Sequence, residues 1–278
     1  MIFAAYTAGI RVAKVYPRNV TTNSGYGVIN YLNIYKALEA AEKYGMVVCF
    51  HPEHPSEEIE GMKKESLFRH ILRDVRRSFS SLKIVVEHVS TEYMAQWVKN
   101  GLRDFVGATL TPQHLFLTID DVIGYSTRSG YKGEVHHMCK PTLKLEADRE
   151  FLQKIVLTGD SQFFYGGDDA PHFRSNKEAA RCNCGVFNTT VALPLLIDFF
   201  HKNKKINLLD NFLSGFGADS YDFPRNKEMI TFERKSWTVP SEYPVPRTFQ
   251  GISGQSIPSA DSVVPMLAGE VLNWQIVS

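Results

Sequence analysis

Short apolar runs alternate along this chain with segments whose hydrophobic residues fall at helical spacing. Residues 8 to 16 read as a buried strand. Asn30 to Tyr44 then places Leu32, Ile34, Tyr35, Leu38 and Ala41 on one helical stripe, which Gly45 terminates. The unit repeats as Met46 to Phe50 followed by a charged helix across Glu57 to Phe79, and again as Lys83 to Glu87 followed by Thr91 to Lys99. Val106 to Leu110 gives another strand with a less regular stretch after it, and Gln162 to Tyr165 gives one more, preceded by a helix across Asp148 to Thr158. Repeated strand-then-helix units predict a parallel sheet with right-handed crossovers. Roughly five or six such strands can be counted from Met1, whereas closure of a β/α barrel takes eight. Pro240, Pro244, Pro246 and Pro258, among many Ser and Gly, predict an irregular C-terminal segment over about 239–278, with a short strand-like run from Glu233 to Thr238 before it.

Composition narrows this picture. With 278 residues and 44% hydrophobic content the chain can bury a substantial core, and one large domain over residues 1–278 is the expectation. The 31 basic and 30 acidic residues nearly cancel, which argues against nucleic acid or an anionic membrane surface as partner and leaves small molecules or further copies of the chain. Cys49, Cys139, Cys182 and Cys184 are too few and too unevenly spaced for a disulfide framework, and no apolar stretch reaches the roughly 18 residues that span a bilayer. A reducing, cytoplasmic setting is expected.

Candidate chemistry sits where the apolar runs end. Val12-Ala13-Lys14, Val47 to His51, Ile84 to His88 and Phe163 to Asp168 each finish in a residue type that can hold a metal, and side chains from different strands converge at the carboxyl rim of a parallel barrel. Desolvation at such a rim lowers the pKa of Lys14, and a neutral amine can capture carbon dioxide to form a carbamate able to bridge two metal ions. Singly, Lys14 reads as a structural ion pair and His51 and His88 as satisfied core histidines. Together with Asp168 they read as a metal site, since four independent strand ends share the pattern. Gly166 and Gly167 let the backbone turn sharply before Asp168, whose carboxylate could touch a metal and also take a proton. Asp169 reads as a solvated or capping carboxylate. Cys182-Asn183-Cys184, without a second Cys or His pair, reads as loop thiols.

Several segments carry a resemblance in order along nearly the whole chain. They are Ala13-Lys14-Val15-Tyr16-Pro17 with Thr21-Thr22-Asn23-Ser24, Glu87-His88, Thr111-Pro112-Gln113-His114-Leu115, Cys139-Lys140-Pro141, Gly167 to His172, Cys184-Gly185-Val186-Phe187-Asn188 and Met266 to Glu270. This series resembles the shorter, monofunctional dihydroorotases of the amidohydrolase superfamily, which reversibly close N-carbamoyl-L-aspartate to L-dihydroorotate in pyrimidine synthesis. The resemblance implies a TIM-type (β/α)8 barrel, two zinc ions per subunit, a cytoplasmic homodimer, and roles for matching residues. Lys14 would be the carboxylated lysine bridging both zincs, His51 and His88 would ligate the second, and Asp168 would ligate the first and act as general acid and base. His172, with backbone groups near Lys140 and Cys184, would contact the substrate, and Thr21 and Thr22 would fall in a mobile loop hinged near Gly25 and Gly27.

The chain also departs from that pattern. The family's first strand supplies a His-x-His pair and an Arg, and its second an Asn; none has a counterpart, and Met1 aligns just before the lysine-bearing strand. Pro52-Glu53 replaces the usual Gly-Glu, and a longer insert lies between Asp121 and His136. The expectation is therefore a barrel incomplete at its N-terminus, with the first two strand–helix units absent. Three functions follow: a dihydroorotase, a catalytically inactive homologue acting as a binding or assembly partner, or another cyclic amidase such as a hydantoinase.

Overall fold

The computed structural model describes residues 1–125, 132–245 and 261–277. The insert after Asp121 lies partly outside the described residues, as do Pro246 and Pro258. The first half runs α1 (Ile2–Thr7), β1 (Val12–Val15), α2 (Tyr35–Lys43), β2 (Val47–Phe50), α3 (Gly61–Ser78), β3 (Lys83–Val86), α4 (Glu92–Lys99) and β4 (Val106–Leu110). Next come α5 (Pro112–Phe116), α6 (Asp120–Ile123), α7 (Glu146–Val156), β5 (Phe163–Tyr165), α8 (Arg174–Lys177), α9 (Thr189–Lys202) and α10 (Phe216–Tyr221). The strand expected over residues 8 to 16 contracts to four residues, because α1 precedes it and Gly9 turns the chain at φ +90°.

Strands β1 to β5 form one parallel sheet in sequential order, with Lys14 opposite Cys49 and Phe50 opposite Val86. An unreversed order makes the sheet wind in one direction, as in a barrel, rather than switch direction as in a doubly wound sheet. Side-chain alternation confirms two distinct faces. Val48, Phe50, Ile84, Val86, Ala108 and Leu110 pack with Leu38, Phe68, Leu72, Met94 and Leu152 from the helices, all buried in the main core. Val47, Cys49, Val85 and Phe164 point the other way and are covered by Phe216 and Tyr221 of α10. The architecture is a partial α/β barrel.

Helix α9 is not announced by the sequence pattern: Pro194 sits inside it, and apolar residues nearly surround it. Asp169 accepts the N–H groups of Asn188 and Thr189 at 2.6 and 3.0 Å, so the capping role read from sequence is fulfilled at the start of this helix. The C-terminal segment holds only two-residue strands, yet it is tied down. β6 (Phe232–Glu233) pairs with β11 (Gln275–Ile276), β7 (Trp237–Thr238) with β10 (Val271–Leu272), and β8 (Tyr243–Pro244) with β9 (Ser262–Val263). The run from Glu233 to Thr238 is thus split between two ladders. Val239, Met266 and Leu267 bury against Cys139, Leu143 and Val186, anchoring this segment beside the loops that follow β4 and β5.

Candidate functional site

The carboxyl ends of the strands open into a cleft of about 300 Å³ lined by Lys14, Tyr16, Thr21, Thr22, Asn23, His51, His88, Cys139, Lys140, Asp168, Ala170, Cys184 and Gly185. Of the site residues expected from sequence, only His172 is not on this wall. It adjoins the wall, donating Nε2–H to the Cys184 carbonyl at 3.1 Å.

Each convergent side chain is placed by its strand end. Lys14 lies within β1 and its ammonium is paired with Glu87. His51 follows β2 directly, its N–H bonded to the Val15 carbonyl at 2.9 Å, and its Nε2 meets Glu53 Oε2 at 2.7 Å. Glu53 is fully buried, so this contact joins an imidazole to a carboxylate away from water, while Glu53 Oε1 has no hydrogen-bond partner. His88 sits just beyond β3 with its ring centroid 4.6 Å from that of His51. Its N–H donates to Thr109 Oγ1 at 2.7 Å, and its buried Nδ1 is without a hydrogen-bond partner.

His88 and Asp168 both adopt left-handed backbone, at φ +42° and +41°. Such a conformation costs a non-glycine residue about 1–2 kcal/mol and needs surrounding structure to hold it. Around Asp168 the support is a close approach: a Cβ on Gly166 would lie 2.6 Å from Thr109 Cβ, and the Gly167 carbonyl accepts Asn188 Nδ2–H at 2.7 Å.

Electrostatics in the cleft favour neutral groups. Desolvation pushes the Lys14 pKa down, against the opposing pull of Asp168, and pushes the Asp168 pKa up, against Lys14 and His51. Both side chains open into the cleft, Lys14 with 40% of its side chain exposed, and desolvation is the largest influence on each. Burial, reinforced by the neighbouring His51 and Lys14, holds His88 well below the ordinary imidazole range, and burial lowers His172 more modestly.

The loop carrying Thr21 and Thr22 lies over this cleft. Thr22 Oγ1 donates to the Cys184 carbonyl at 3.2 Å, tying the loop to the opposite wall. Gly27 is required by a close approach: a Cβ there would lie 2.6 Å from the backbone of Pro17 and Arg18. Its role is therefore to admit the paired loop stem rather than to provide freedom, the reading made from sequence.

Among the described residues no three His, Cys, Asp or Glu side chains already form a metal-binding group. The donor set nonetheless fits a cation: a lysine with lowered pKa, two adjacent buried imidazoles, one with an orphaned nitrogen, and a carboxylate face one cleft. Sequence reasoning missed Glu53, whose signal was its position two residues after His51, and also His114 and Asn188, whose contacts come from distant segments.

A partial α/β barrel with these residues on its carboxyl rim belongs to the class of hydrolases acting on cyclic amides, the amidohydrolase type. No protein-family model matches the chain. A dihydroorotase from Marinobacter nauticus is 36% identical over 274 residues, a match covering 98% of this chain and 74% of that protein. The chain belongs to the dihydroorotase family. It superposes with a TM-score of 0.83 on the crystal structure of Saccharomyces cerevisiae dihydroorotase in complex with 5-fluoroorotic acid, at 29% identity, covering 99% of this chain and 76% of that one. A Bacillus D-hydantoinase superposes with a TM-score of 0.73 at 14% identity, a likeness of fold alone. No helix among the described residues is long and apolar enough to cross a membrane.

Proposed function

We propose that this chain interconverts N-carbamoyl-L-aspartate and L-dihydroorotate at the cleft described above, using two zinc ions and a carboxylated Lys14, as a cytoplasmic homodimer. The observation that carries this reading is the meeting of Lys14, His51, His88 and Asp168 in one cleft of a dihydroorotase-family chain. Lys14 carboxylated on Nζ would bridge the ions, His51 and His88 would hold one, and Asp168 the other, for which the His-x-His pair of the family has no counterpart in this sequence. Carboxylation needs the uncharged amine, so Lys14 would have to leave its ion pair with Glu87, a change that its lowered pKa favours. Bound zinc would supply a polarised ring carbonyl and water of lowered pKa.

The remaining work falls to the chain itself. In the hydrolytic direction Asp168 takes a proton from the attacking water and gives it to the ring nitrogen as the amide bond breaks; ring closure runs the transfers in reverse. Burial raises the Asp168 pKa, against Lys14 and His51, in the direction that favours holding a proton. His172, whose Nε2–H donates to the Cys184 carbonyl, and backbone groups near Lys140 and Cys184 would contact the substrate's carboxylate and ring. Thr21 and Thr22 close the cleft from above and exclude water.

Zinc content and turnover of dihydroorotate and of hydantoin by the purified protein test this reading. Bound zinc with dihydroorotate turnover supports it. Hydantoin turnover alone moves the chain to the third reading from sequence, and zinc-free protein without turnover to the inactive homologue. Asp168→Asn is expected to abolish turnover; substantial residual rate would remove Asp168 from the proton-transfer role.

A further inference from the structure

Behind the cleft, a carboxylate from the second turn of α3 reaches the turn that carries His88. Glu65 is fully buried. Its oxygens accept the Ser90 N–H at 3.0 and 3.1 Å, the Thr91 N–H at 2.9 Å, the Thr91 hydroxyl at 2.9 Å, and the Ser90 hydroxyl. Two consecutive residues thus direct all four of their backbone and side-chain donors at one carboxyl group. Thr91 is doubly committed, since its Oγ1 also accepts the Met94 N–H at 3.2 Å and starts α4.

The turn between β3 and α4 is therefore gripped from two sides. On one side β4 takes the His88 N–H at Thr109 Oγ1 and the Val89 N–H at the Thr109 carbonyl, 3.0 Å away. On the other side α3 takes Ser90 and Thr91 through Glu65. Between the grips lies the left-handed backbone of His88. An uncompensated buried carboxylate is costly, so these donors are what makes the position tolerable. Four donors aimed at one carboxyl group make Glu65 a device for geometry.

We propose that Glu65 is a positioning residue which fixes the turn at residues 88 to 91 and so aims the His88 imidazole into the cleft. The proposal rests on the reading of His88 as a zinc ligand. Glu65→Gln keeps shape and volume but turns an amide NH2 toward donors that need an acceptor.

The test measures zinc affinity by competition with a chromogenic chelator, together with kcat and KM, on the full chain as wild type, Glu65→Gln and His88→Ala. Expected for Glu65→Gln is about 10- to 100-fold weaker zinc binding, the range for mutated outer-shell partners of metal ligands, with kcat reduced more than KM. His88→Ala should lose still more affinity. A Glu65→Gln protein that melts earlier but binds zinc and turns over normally would overturn the proposal and leave Glu65 a stabilising group only. Undiminished zinc binding by His88→Ala would overturn the ligand reading and the proposal with it. If Glu65→Gln does not fold, Ser90→Ala removes one donor from the same carboxylate and should weaken zinc binding by a smaller factor, with unchanged affinity counting against the proposal.

Discussion

His114 gives the fold a defined weakness toward acid. It lies in α5, buried, with Nε2–H donated to the Pro141 carbonyl at 2.9 Å and Nδ1 2.7 Å from Thr111 Oγ1. A carbonyl can only accept, so Nε2 carries the proton and Nδ1 receives the threonine hydroxyl; the ring is complete as a neutral imidazole. Burial pushes its pKa down to about 4, partly opposed by the Pro141 carbonyl, while Lys144 lowers it further. In the unfolded chain the same ring titrates near 6.5. As pH falls below 6.5 the unfolded chain therefore binds a proton that the folded chain refuses until about pH 4, and stability drops across that window. Two and a half units at 1.36 kcal/mol each amount to about 3 kcal/mol, with no further loss below the folded pKa. His114→Gln titrates in neither state and can still meet Thr111 and Pro141. Urea unfolding of the zinc-free protein at pH 7, 6, 5 and 4 should show the wild-type advantage over this variant shrinking by about 3 kcal/mol from pH 7 to 4. Contributions from Asp168 and Glu65, whose shifts come from other neighbours, are common to both proteins and cancel in the difference. An advantage constant across that range would mean that His114 titrates alike folded and unfolded, and would refute the buried-neutral assignment.

Three substitutions test the cleft's supports. Glu53→Gln removes the charge that His51 meets at 2.7 Å, and zinc affinity read by chelator competition should fall about 10- to 100-fold; equal affinity would show the contact to be incidental. Gly166→Ala drives a Cβ to within 2.6 Å of Thr109 Cβ, and overpacking of this kind costs about 1–3 kcal/mol, so thermal unfolding should move to lower temperature. An unshifted transition would mean that the two backbones separate freely. Thr22→Val removes the hydroxyl bond to the Cys184 carbonyl, worth about 0.5–1.5 kcal/mol, and should lower kcat/KM about 2- to 10-fold; unchanged kinetics would detach that bond from cleft closure.

What was legible in the sequence was whatever a short local pattern can carry. The strand at Val106–Leu110 and the helix beginning after Thr91 could be read because apolar runs and a capping threonine are local signals. Lys14, His51, His88 and Asp168 stood out because each interrupts or follows such a run with a ligand-type residue. Glu65 did not: within Lys63-Lys64-Glu65-Ser66 it resembles a solvated charge, and its burial depends on donors 25 and 26 residues later. Helix α9 was hidden by Pro194, and the anchoring of the C-terminal segment by contacts such as Met266 N–H to the Phe187 carbonyl at 2.7 Å, which no local rule predicts.

Thr109 shows why the supports of a site are harder to read than its donors. It has no metal-ligand chemistry and lies on β4, the one central strand whose end contributes no wall residue to the cleft. Yet β4 lies between β3 and β5, so it is the strand adjacent to both left-handed turns. Its hydroxyl holds the His88 N–H, its carbonyl holds Val89, and its Cβ sets how closely the glycine turn before Asp168 can approach. One side chain therefore couples the placement of a candidate ligand from each neighbouring strand. A displacement of Thr109 should be felt at His88 and Asp168 together, whereas loss of Glu65 should be felt at His88 first.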